Sequence, residues 1–393
     1  MNSAARLALI VGGGIGGVTA ALALARRGFA VRLFEQSSAF GEIGAGIQLS
    51  PNCVRVLHDL GLETALRRVA FVPERTEMRD WRTGKTISTN PLGNAVVQAY
   101  GFPYYHVHRA DLMQALIGQA RNTAGIELHT SARVDAISQS DREVEARVAD
   151  QVHRGALLVG ADGIHSTVRA HLFGVEAPRF TGNVAWRALV PAERLPNGLV
   201  RPVASVWMGP GRHFVHYYVR AGALINCVCV VEKAGWQVES WTQRGEHAEL
   251  ARDFAGWHET VTTLIDRMDR DACFKWALFD RAPMARWGEG RVTLLGDACH
   301  PTLPFMAQGA AMAIEDAAVL AHSVATDDVA KGLARYATLR RARTAKIQLG
   351  SRANAKLFHL RPPYSWLRNR ALGRARGNPF DWVFRYDALN ATQ

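Results

Sequence analysis

The chain has 393 residues, 48% hydrophobic and 21% charged, which fits a globular protein too long for one hydrophobic core. No apolar run approaches the roughly 18 residues of a membrane span, and the apolar N-terminus reads as a strand of the fold and not as a signal peptide. The net charge of +12 sits at one end: from Lys331 onward there are 14 Lys and Arg against Asp381 and Asp387, and the rest holds 33 basic and 33 acidic residues.

In chain order, Arg6–Val11 reads as a buried strand, followed by Gly12-Gly13-Gly14-Ile15-Gly16-Gly17, in which Gly12, Gly14 and Gly17 fit G-x-G-x-x-G. A helix over Val18–Arg27, a closing Gly28, a strand over Ala30–Phe34 and Glu35 at its end complete one dinucleotide-binding unit. Gly12 permits the tight turn, Gly14 lets a pyrophosphate approach the backbone, and Gly17 lets helix and strand pack closely. The helix N-terminus offers N–H groups to phosphates, Ile15 is a cofactor-binding candidate within the turn, and Glu35 is placed to accept from ribose hydroxyls. A glycine-rich loop, Gly41–Gln48, precedes Pro51, which favours a helix from Asn52. Thr76–Trp81 and Lys85–Thr89 flank Thr83-Gly84 as a hairpin; Tyr104–His108 is extended, and Arg109–Arg121 is helical. Strand-like runs follow at Ile126–Thr130, Ala132–Ile137, Val144–Val148 and Ala156–Val159, the last leading into Gly160-Ala161-Asp162-Gly163.

From Phe180 to Phe279 the pattern alternates and becomes aromatic, predicting an antiparallel sheet of Val184–Val190, Val203–Met208, His213–Arg220, Ala223–Val231 and Cys273–Phe279, with helix over Glu246–Met268. Arg291–Leu295 returns to a buried strand ending in Gly296-Asp297, a helix spans Gln308–Val324, and the basic tail is helical to about residue 360. Phe358, Tyr364, Trp366, Phe380, Trp382 and Phe384 predict that the tail packs back on the nucleotide domain or on a partner subunit of a homodimer. Five cysteines without framework spacing predict reduced thiols and a cytoplasmic protein; Cys227 and Cys229 point the same way on a strand and are poorly placed to bridge. No metal is expected, since no C-x-x-C pair or H-E-x-x-H is present.

Four motifs in order carry a resemblance. These are the dinucleotide fingerprint, Gly44-Ala45-Gly46-Ile47, Gly160-Ala161-Asp162-Gly163-Ile164-His165-Ser166, and Gly296-Asp297-Ala298-Cys299-His300-Pro301 continuing to Gln308-Gly309-Ala310. From Arg6 to about Arg343 the chain resembles the class A FAD-dependent aromatic monooxygenases of the salicylate and hydroxybenzoate hydroxylase type. The resemblance implies an α/β fold: a Rossmann-like FAD-binding domain built from residues 1–75, 102–178 and 288–330, an inserted, mostly antiparallel sheet domain from 76–101 and 179–287, and a helical basic tail from 331. It implies FAD as the held cofactor, with NADH or NADPH as a transient reductant and O₂ as co-substrate. One oxygen atom would reach a small phenolic or carboxylated aromatic substrate through a C4a-hydroperoxyflavin.

The resemblance places Gly46, Ile47, Arg109, Asp162, Asp297 and the helix start at Gln308, Gly309 and Ala310 against FAD. Arg109 would offset phosphate charge, Asp297 bond the ribityl chain, and the helix face the flavin pyrimidine edge. On the strand through Tyr217, a period of two puts His213, Val215, Tyr217 and Val219 on one face and Phe214, His216 and Tyr218 on the other. His213 and Tyr217 are the catalytic candidates, with a neutral imidazole suited to take the proton of a phenol. Gln48, Pro304 and Phe305 are expected beside the substrate, and Trp186 and Arg187 are candidates for its carboxylate. The chain has Pro304 where 3-hydroxybenzoate 6-hydroxylases carry a glutamine, and Gln48 and Phe305 where 6-hydroxynicotinate hydroxylases carry histidines. Salicylate-like substrates therefore lead, with an N-heteroaromatic such as a hydroxynicotinate as the rival. A reading from another class is a flavin-containing binding protein whose basic tail contacts nucleic acid or anionic lipid; neither nucleic acid nor an integral membrane position is expected.

Overall fold

The computed structural model describes residues 6–41, 45–236, 238, 243–326 and 328–391. Glu42–Gly44 of the glycine-rich loop lie outside the described residues. β1 (Leu7–Val11), β2 (Ala30–Phe34), β7 (Ile126–His129), β11 (Leu157–Gly160) and β18 (Val292–Leu294) form a parallel sheet in the order β18-β11-β1-β2-β7, with β17 (Gly288–Glu289) antiparallel at its edge. Ala8, Leu9, Ile10 and Leu157–Val159 are fully buried, because helices cover the sheet on one side and the strand Gln151–Gly155 packs on the strand Leu7–Val11. The cover comes from α1 (Ile15–Arg26), α5 (Arg109–Arg121) and α9 (Gly309–Thr326), and α1 packs on both of the others. The α1–α9 approach is close because small residues meet: a Cβ on Gly16 would lie 3.1 Å from the Ala313 methyl.

The second large sheet runs β16 (Phe274–Asp280), β12 (Arg179–Pro191), β15 (Leu224–Glu232), β14 (Arg212–Val219), β13 (Ala204–Gly209), β4 (Arg75–Asp80) and β5 (Thr86–Pro91). Every pairing is antiparallel except β13 with β4. The expected strand at Val184 starts earlier, at Arg179, because a bulge between Phe180 and Val184 lets β16 follow it. The period of two divides the sheet. Trp186, Trp207, Phe214, Cys227, Cys229 and Val231 face a layer made with α7 (His247–Asp253) and α8 (Glu259–Asp266), while Ala185, Val206, Met208, Val228 and Val230 face the parallel-sheet side. The helical material expected over 246–268 is two helices, separated where Gly256 takes φ +75° and His258 accepts the Thr260 N–H as the cap of α8.

β3 (Gly46–Leu49) pairs with β6 (Tyr105–His108), and β8 (Val134–Gln139), β9 (Val144–Val148) and β10 (Gln151–Gly155) make a small meander. β10 escapes the sequence pattern because it is a largely exposed edge without an apolar face. The shorter helices are α2 (Pro51–Asp59), α3 (Glu63–Val69), α4 (Gly93–Tyr100) and α6 (Thr167–Phe173).

The tail continues as α10 (Val329–Phe358), α11 (Tyr364–Arg374) and α12 (Asp381–Phe384). α10 lies along α9, and Phe358, Val383 and Phe384 are buried. Tyr364 and Trp366 are not packed as expected: they are 65% and 68% exposed, because α11 inserts only Arg368, which donates to the carbonyls of Leu357 and Phe358. Several tail cations are used internally. Arg340 pairs at 2.6 Å with Glu315 and 2.7 Å with Asp316, all three fully buried; Arg343 also reaches Glu315 at 2.7 Å, and Arg352 reaches Asp280 at 2.6 Å. All five cysteines are buried free thiols, and no described helix is long and apolar enough to cross a membrane.

Candidate active site

A cavity of about 420 Å³ lies between the two large sheets, roofed by the tail. At one end stands the glycine turn. Gly12 has φ +106°, and a Cβ there would fall 2.4 Å from the Ala161 carbonyl oxygen; a Cβ on Gly17 would fall 2.0 Å from that of Gly12. Both glycines therefore close the turn on itself. Gly14 differs: it lines the cavity with Ile15, and nothing lies within 4 Å of where its Cβ would be. It begins α1 without a side-chain cap and without an acidic residue in the first turn, so the helix presents N–H groups and positive dipole to the cavity. Glu35 stands at the turn, where Oε2 accepts the Gly13 N–H at 2.7 Å and Oε1 that of Ser37 at 2.8 Å.

β3 supplies Gly46, Ile47 and Gln48 to the opposite wall. The Gly46 N–H donates to Asn226 Oδ1 at 2.7 Å, and a Cβ on it would meet Asn226 and Tyr217 at 2.7 Å, so only glycine fits. Arg109 opens α5, its backbone N–H on the Ala45 carbonyl at 2.7 Å, and it lines the cavity. Burial lowers its guanidinium from the ordinary arginine range, against the pull of Asp297. Asp297 follows β18 in a one-turn helix and faces the cavity; burial raises its carboxyl above the usual range, with His300 and Arg109 opposing. Its accessible surface is deep in the protein and opens on the cavity, so the raised carboxyl and the solvent contact are compatible.

Two cofactor candidates use their side chains within the protein. The Asp162 carboxylate belongs to α6: Oδ2 accepts the N–H groups of Thr167 at 2.7 Å and Val168 at 3.2 Å, and Asp162 stands behind the wall that Ala161 and Gly163 line. The Gln308 side chain turns inward, donating to Ser50 Oγ at 2.9 Å and accepting from Asn52 at 3.1 Å. Gln308 meets the cavity beside Gly309 and Ala310, where α9 begins, again with no acidic residue in its first turn.

At the other end β14 turns His213, Val215 and Tyr217 to the cavity, and Pro304 and Phe305 close the facing wall. The Phe305 ring meets His213 edge-on at 5.0 Å. Tyr104 donates its hydroxyl to Gln48 Oε1 at 2.6 Å, and the Gln48 amide in turn bonds the Tyr217 oxygen. Burial raises the Tyr217 phenol above its ordinary range, so it keeps its own O–H for the cavity. Trp186 is a correction. It is fully buried on the opposite face of the sheet, with the Lys275 ammonium 5.0 Å from its ring, because one residue along a strand exchanges faces. Arg187, its neighbour, is on the cavity side but behind the wall, over the Trp276 ring at 4.9 Å; burial, with Arg109 adding, pushes it down to about 10 while Tyr217 opposes.

The sequence reading missed Tyr104 and the contribution of Phe358, Phe380 and Phe384 to the cavity wall. Tyr104 carries no local sign, since its partner Gln48 is 56 positions away. Among the described residues Cys299, His300 and Asp316 stand close enough to suggest a cation site. His300 Nε2 lies 2.5 Å from Asp316, Arg340 holds its other oxygen, and burial pushes the Cys299 thiol well up, so the trio reads as internal hydrogen bonding.

These features suit a flavin dinucleotide: a cavity-facing glycine with room only until a phosphate arrives, two helix N-termini without an acidic residue in their first turns, and a cation and a carboxyl facing one cavity. The family model described as "FAD binding domain" matches residues 7–351. A 3-amino-4-hydroxybenzoate 2-monooxygenase, PtmB3, of Streptomyces platensis is 39% identical over 98% of this chain and 97% of its own. A 3-hydroxybenzoate 6-hydroxylase of Polaromonas naphthalenivorans (strain CJ2) is 40% identical over 97% and 96%. Among solved structures, Klebsiella pneumoniae HpxO complexed with FAD and uric acid superimposes with a TM-score of 0.86 at 28% identity over 97% of this chain and 96% of its own. A salicylate hydroxylase substrate complex gives 0.84 at 26% identity over 100% and 98%.

Proposed function

The chain belongs to the FAD binding domain family and is a class A flavoprotein aromatic monooxygenase with FAD as its cofactor; from that premise we propose that it hydroxylates a small phenolic acid of the hydroxybenzoate class, 3- and 4-hydroxybenzoate types first and salicylate after them. The observation that carries this reading is the pairing of His213 and Tyr217 on one face of β14 in an otherwise mainly apolar end of the cavity. Four residues apart on a strand, their backbones are separated by about 13 Å. That span is filled by a benzoate whose hydroxyl stands meta or para to the carboxylate, with a hydrogen bond at each end. Tyr217 then donates to the carboxylate, with the positive Arg187 behind it, and His213 accepts the phenolic proton. Burial, with His359 adding, holds the His213 imidazole well below the ordinary histidine range, so it is neutral and able to accept. The chemistry FAD supplies when bound is hydride acceptance from NADH or NADPH and transfer of one oxygen from O₂. Met78, Val206, Val228 and Phe305 keep water from that end of the cavity.

A second reading, an N-heteroaromatic substrate such as a hydroxynicotinate or a purine, draws on the uric acid in the HpxO structure. The two are separated by offering hydroxybenzoates, aminohydroxybenzoates and hydroxylated N-heterocycles to the holoenzyme and reading NADH oxidation with product mass. Stimulation confined to the N-heterocycles overturns the first reading. The binding-protein alternative gives way to the whole-length match with monooxygenases and to the internal ion pairs of the tail.

In the same assay His213→Ala should lower hydroxylated product about 100-fold. NADH oxidation should fall far less, with hydrogen peroxide making up the difference, because deprotonation of the phenol matters to oxygen transfer and not to hydride transfer. Equal losses in product, peroxide and NADH consumption would show that His213 serves binding or the fold.

A further inference from the structure

His213 is not an isolated base. Its Nδ1 lies 2.8 Å from Nε2 of His359, the residue that closes α10, and His359 Nδ1 lies 3.1 Å from Glu232 Oε1 at the end of β15. The three are tied by backbone: the Gly211 N–H donates to the His359 carbonyl at 3.0 Å and the Glu232 N–H to that of Gly211 at 2.9 Å. The imidazoles are 2% and 5% exposed, whereas the Glu232 side chain is 48% exposed. The chain of groups thus starts on the cavity and ends in solvent.

The carboxylate fixes every proton in it. Ionised Glu232 can only accept, so His359 donates from Nδ1 and its Nε2 is left as an acceptor. His213 must then donate from Nδ1, which leaves its Nε2 as a bare lone pair on the cavity side. We propose that His359 and Glu232 are positioning residues that hold His213 in the tautomer with Nε2 free for the substrate, and that the three groups form a proton path from cavity to surface. The proposal rests on the reading of His213 as the base for a phenol. In the forward direction the phenol O–H bond breaks and the proton bonds to His213 Nε2. The Nδ1 proton of His213 passes to His359 Nε2, that of His359 Nδ1 passes to Glu232, and Glu232 releases it to water. Both rings remain neutral with their tautomers exchanged, and the returning proton that completes the product phenol resets them.

The surroundings suit neutral relays. Among the described residues His359 is the one titratable group whose charge bears on His213, and the rings of Phe305 and Phe358 lie 5.0 and 5.3 Å from its imidazole. His359 is faced by Glu232, Arg368 and Arg212, and Arg361 lies 3.8 Å from Glu232. Burial lowers His359 from the ordinary histidine range, Glu232 opposes, and the two arginines add to the lowering. Arg368 is occupied by the carbonyls of Leu357 and Phe358 and Arg212 by that of Asp253, so neither competes for the ring nitrogens.

The test needs no turnover. In the FAD-loaded protein labelled with ¹⁵N-histidine, the imidazole spectrum should show His213 protonated at Nδ1, and His359→Phe should abolish that preference. His359→Gln can accept from His213 through its amide oxygen and donate to Glu232, yet cannot pass a proton. It should keep the Nδ1 tautomer while slowing, at least tenfold, the release of protons to phenol red when salicylate, 3-hydroxybenzoate and 4-hydroxybenzoate are mixed in. An unchanged His213 tautomer in His359→Phe overturns the positioning role. Proton release from His359→Gln at the wild-type rate overturns the path. If His359→Phe does not fold, His359→Gln and Glu232→Gln carry the test, since each keeps its hydrogen bonds and removes one transfer. The tautomer signal present with no phenol releasing a proton sinks the functional reading and leaves the positioning role standing.

Discussion

Gly14→Val should give a folded but colourless protein. The position a Cβ would take at Gly14 has nothing within 4 Å, so valine adds no clash within the chain, yet its methyls would occupy the space where a phosphate must reach the α1 N–H groups. Losing two charge-assisted hydrogen bonds of about 1.5–3 kcal/mol each should weaken FAD binding by roughly 10²–10⁴-fold. Gly17→Ala is the contrast, because its methyl would lie 2.0 Å from the Gly12 carbonyl oxygen and should damage the fold itself. Circular dichroism with flavin absorbance after gel filtration distinguishes them. A yellow Gly14→Val protein with the wild-type flavin ratio would remove the phosphate from this turn.

Arg340→Met should destabilise the protein by about 3–5 kcal/mol, because it leaves Glu315 and Asp316 as buried carboxylates short of a partner. Burial alone would raise both acids. Arg340 and Arg343 hold Glu315 below the usual carboxylate range, and His300 and Arg340 do the same for Asp316. A carboxyl depressed on folding stabilises the fold above its unfolded value and loses that contribution as pH falls through the folded one. Wild-type stability should therefore decline only in acid, below about pH 4. The variant should show the opposite trend just above that range, its deficit narrowing on mild acidification as the orphaned acids protonate. Arg340→Lys should fall between the two, since an ammonium keeps the charge and loses the two-oxygen fork. Urea midpoints at neutral and mildly acid pH measure this, and a variant within about 0.5 kcal/mol of wild type at neutral pH would contradict it.

The strands and the face each residue takes were legible because burial leaves a period: the alternation in Arg212–Val219 places His213 and Tyr217 on the cavity and Phe214 and His216 away from it. The glycine turn was legible because backbone approach admits no other residue at Gly12 or Gly17. Trp186 was misplaced by a one-residue choice of face, which no pattern within a strand buried on both sides decides. Asp162 was read through the motif around it, whereas its carboxylate goes to the nearest unsatisfied N–H groups, those of α6. His359 could not be found at all, because its partner lies 146 residues away on β14, and Phe384 was expected to pack back but not against Tyr100 and Tyr104. Contacts of that kind are written in the tertiary fold and leave no local spacing.

The order β17-β18-β11-β1-β2-β7 also constrains how the protein comes into being on the ribosome. Its first strand meets Ala30–Phe34 at once, but the neighbour on its other side, Leu157–Gly160, arrives more than a hundred residues later, and Val292–Leu294 later still. Until then β1 has one bare edge, and closing such long loops makes the sheet slow to assemble. The cavity waits longer, since its roof of Phe358, Phe380 and Phe384 follows all of these strands in the chain. A nascent chain that has not yet reached Phe358 would hold an open groove with apolar walls, a state prone to aggregate and to recruit chaperones. Flavin capture thus waits on residues far from the glycine turn in sequence, and the synthesis of Phe358 to Phe384 sets when the cavity can close.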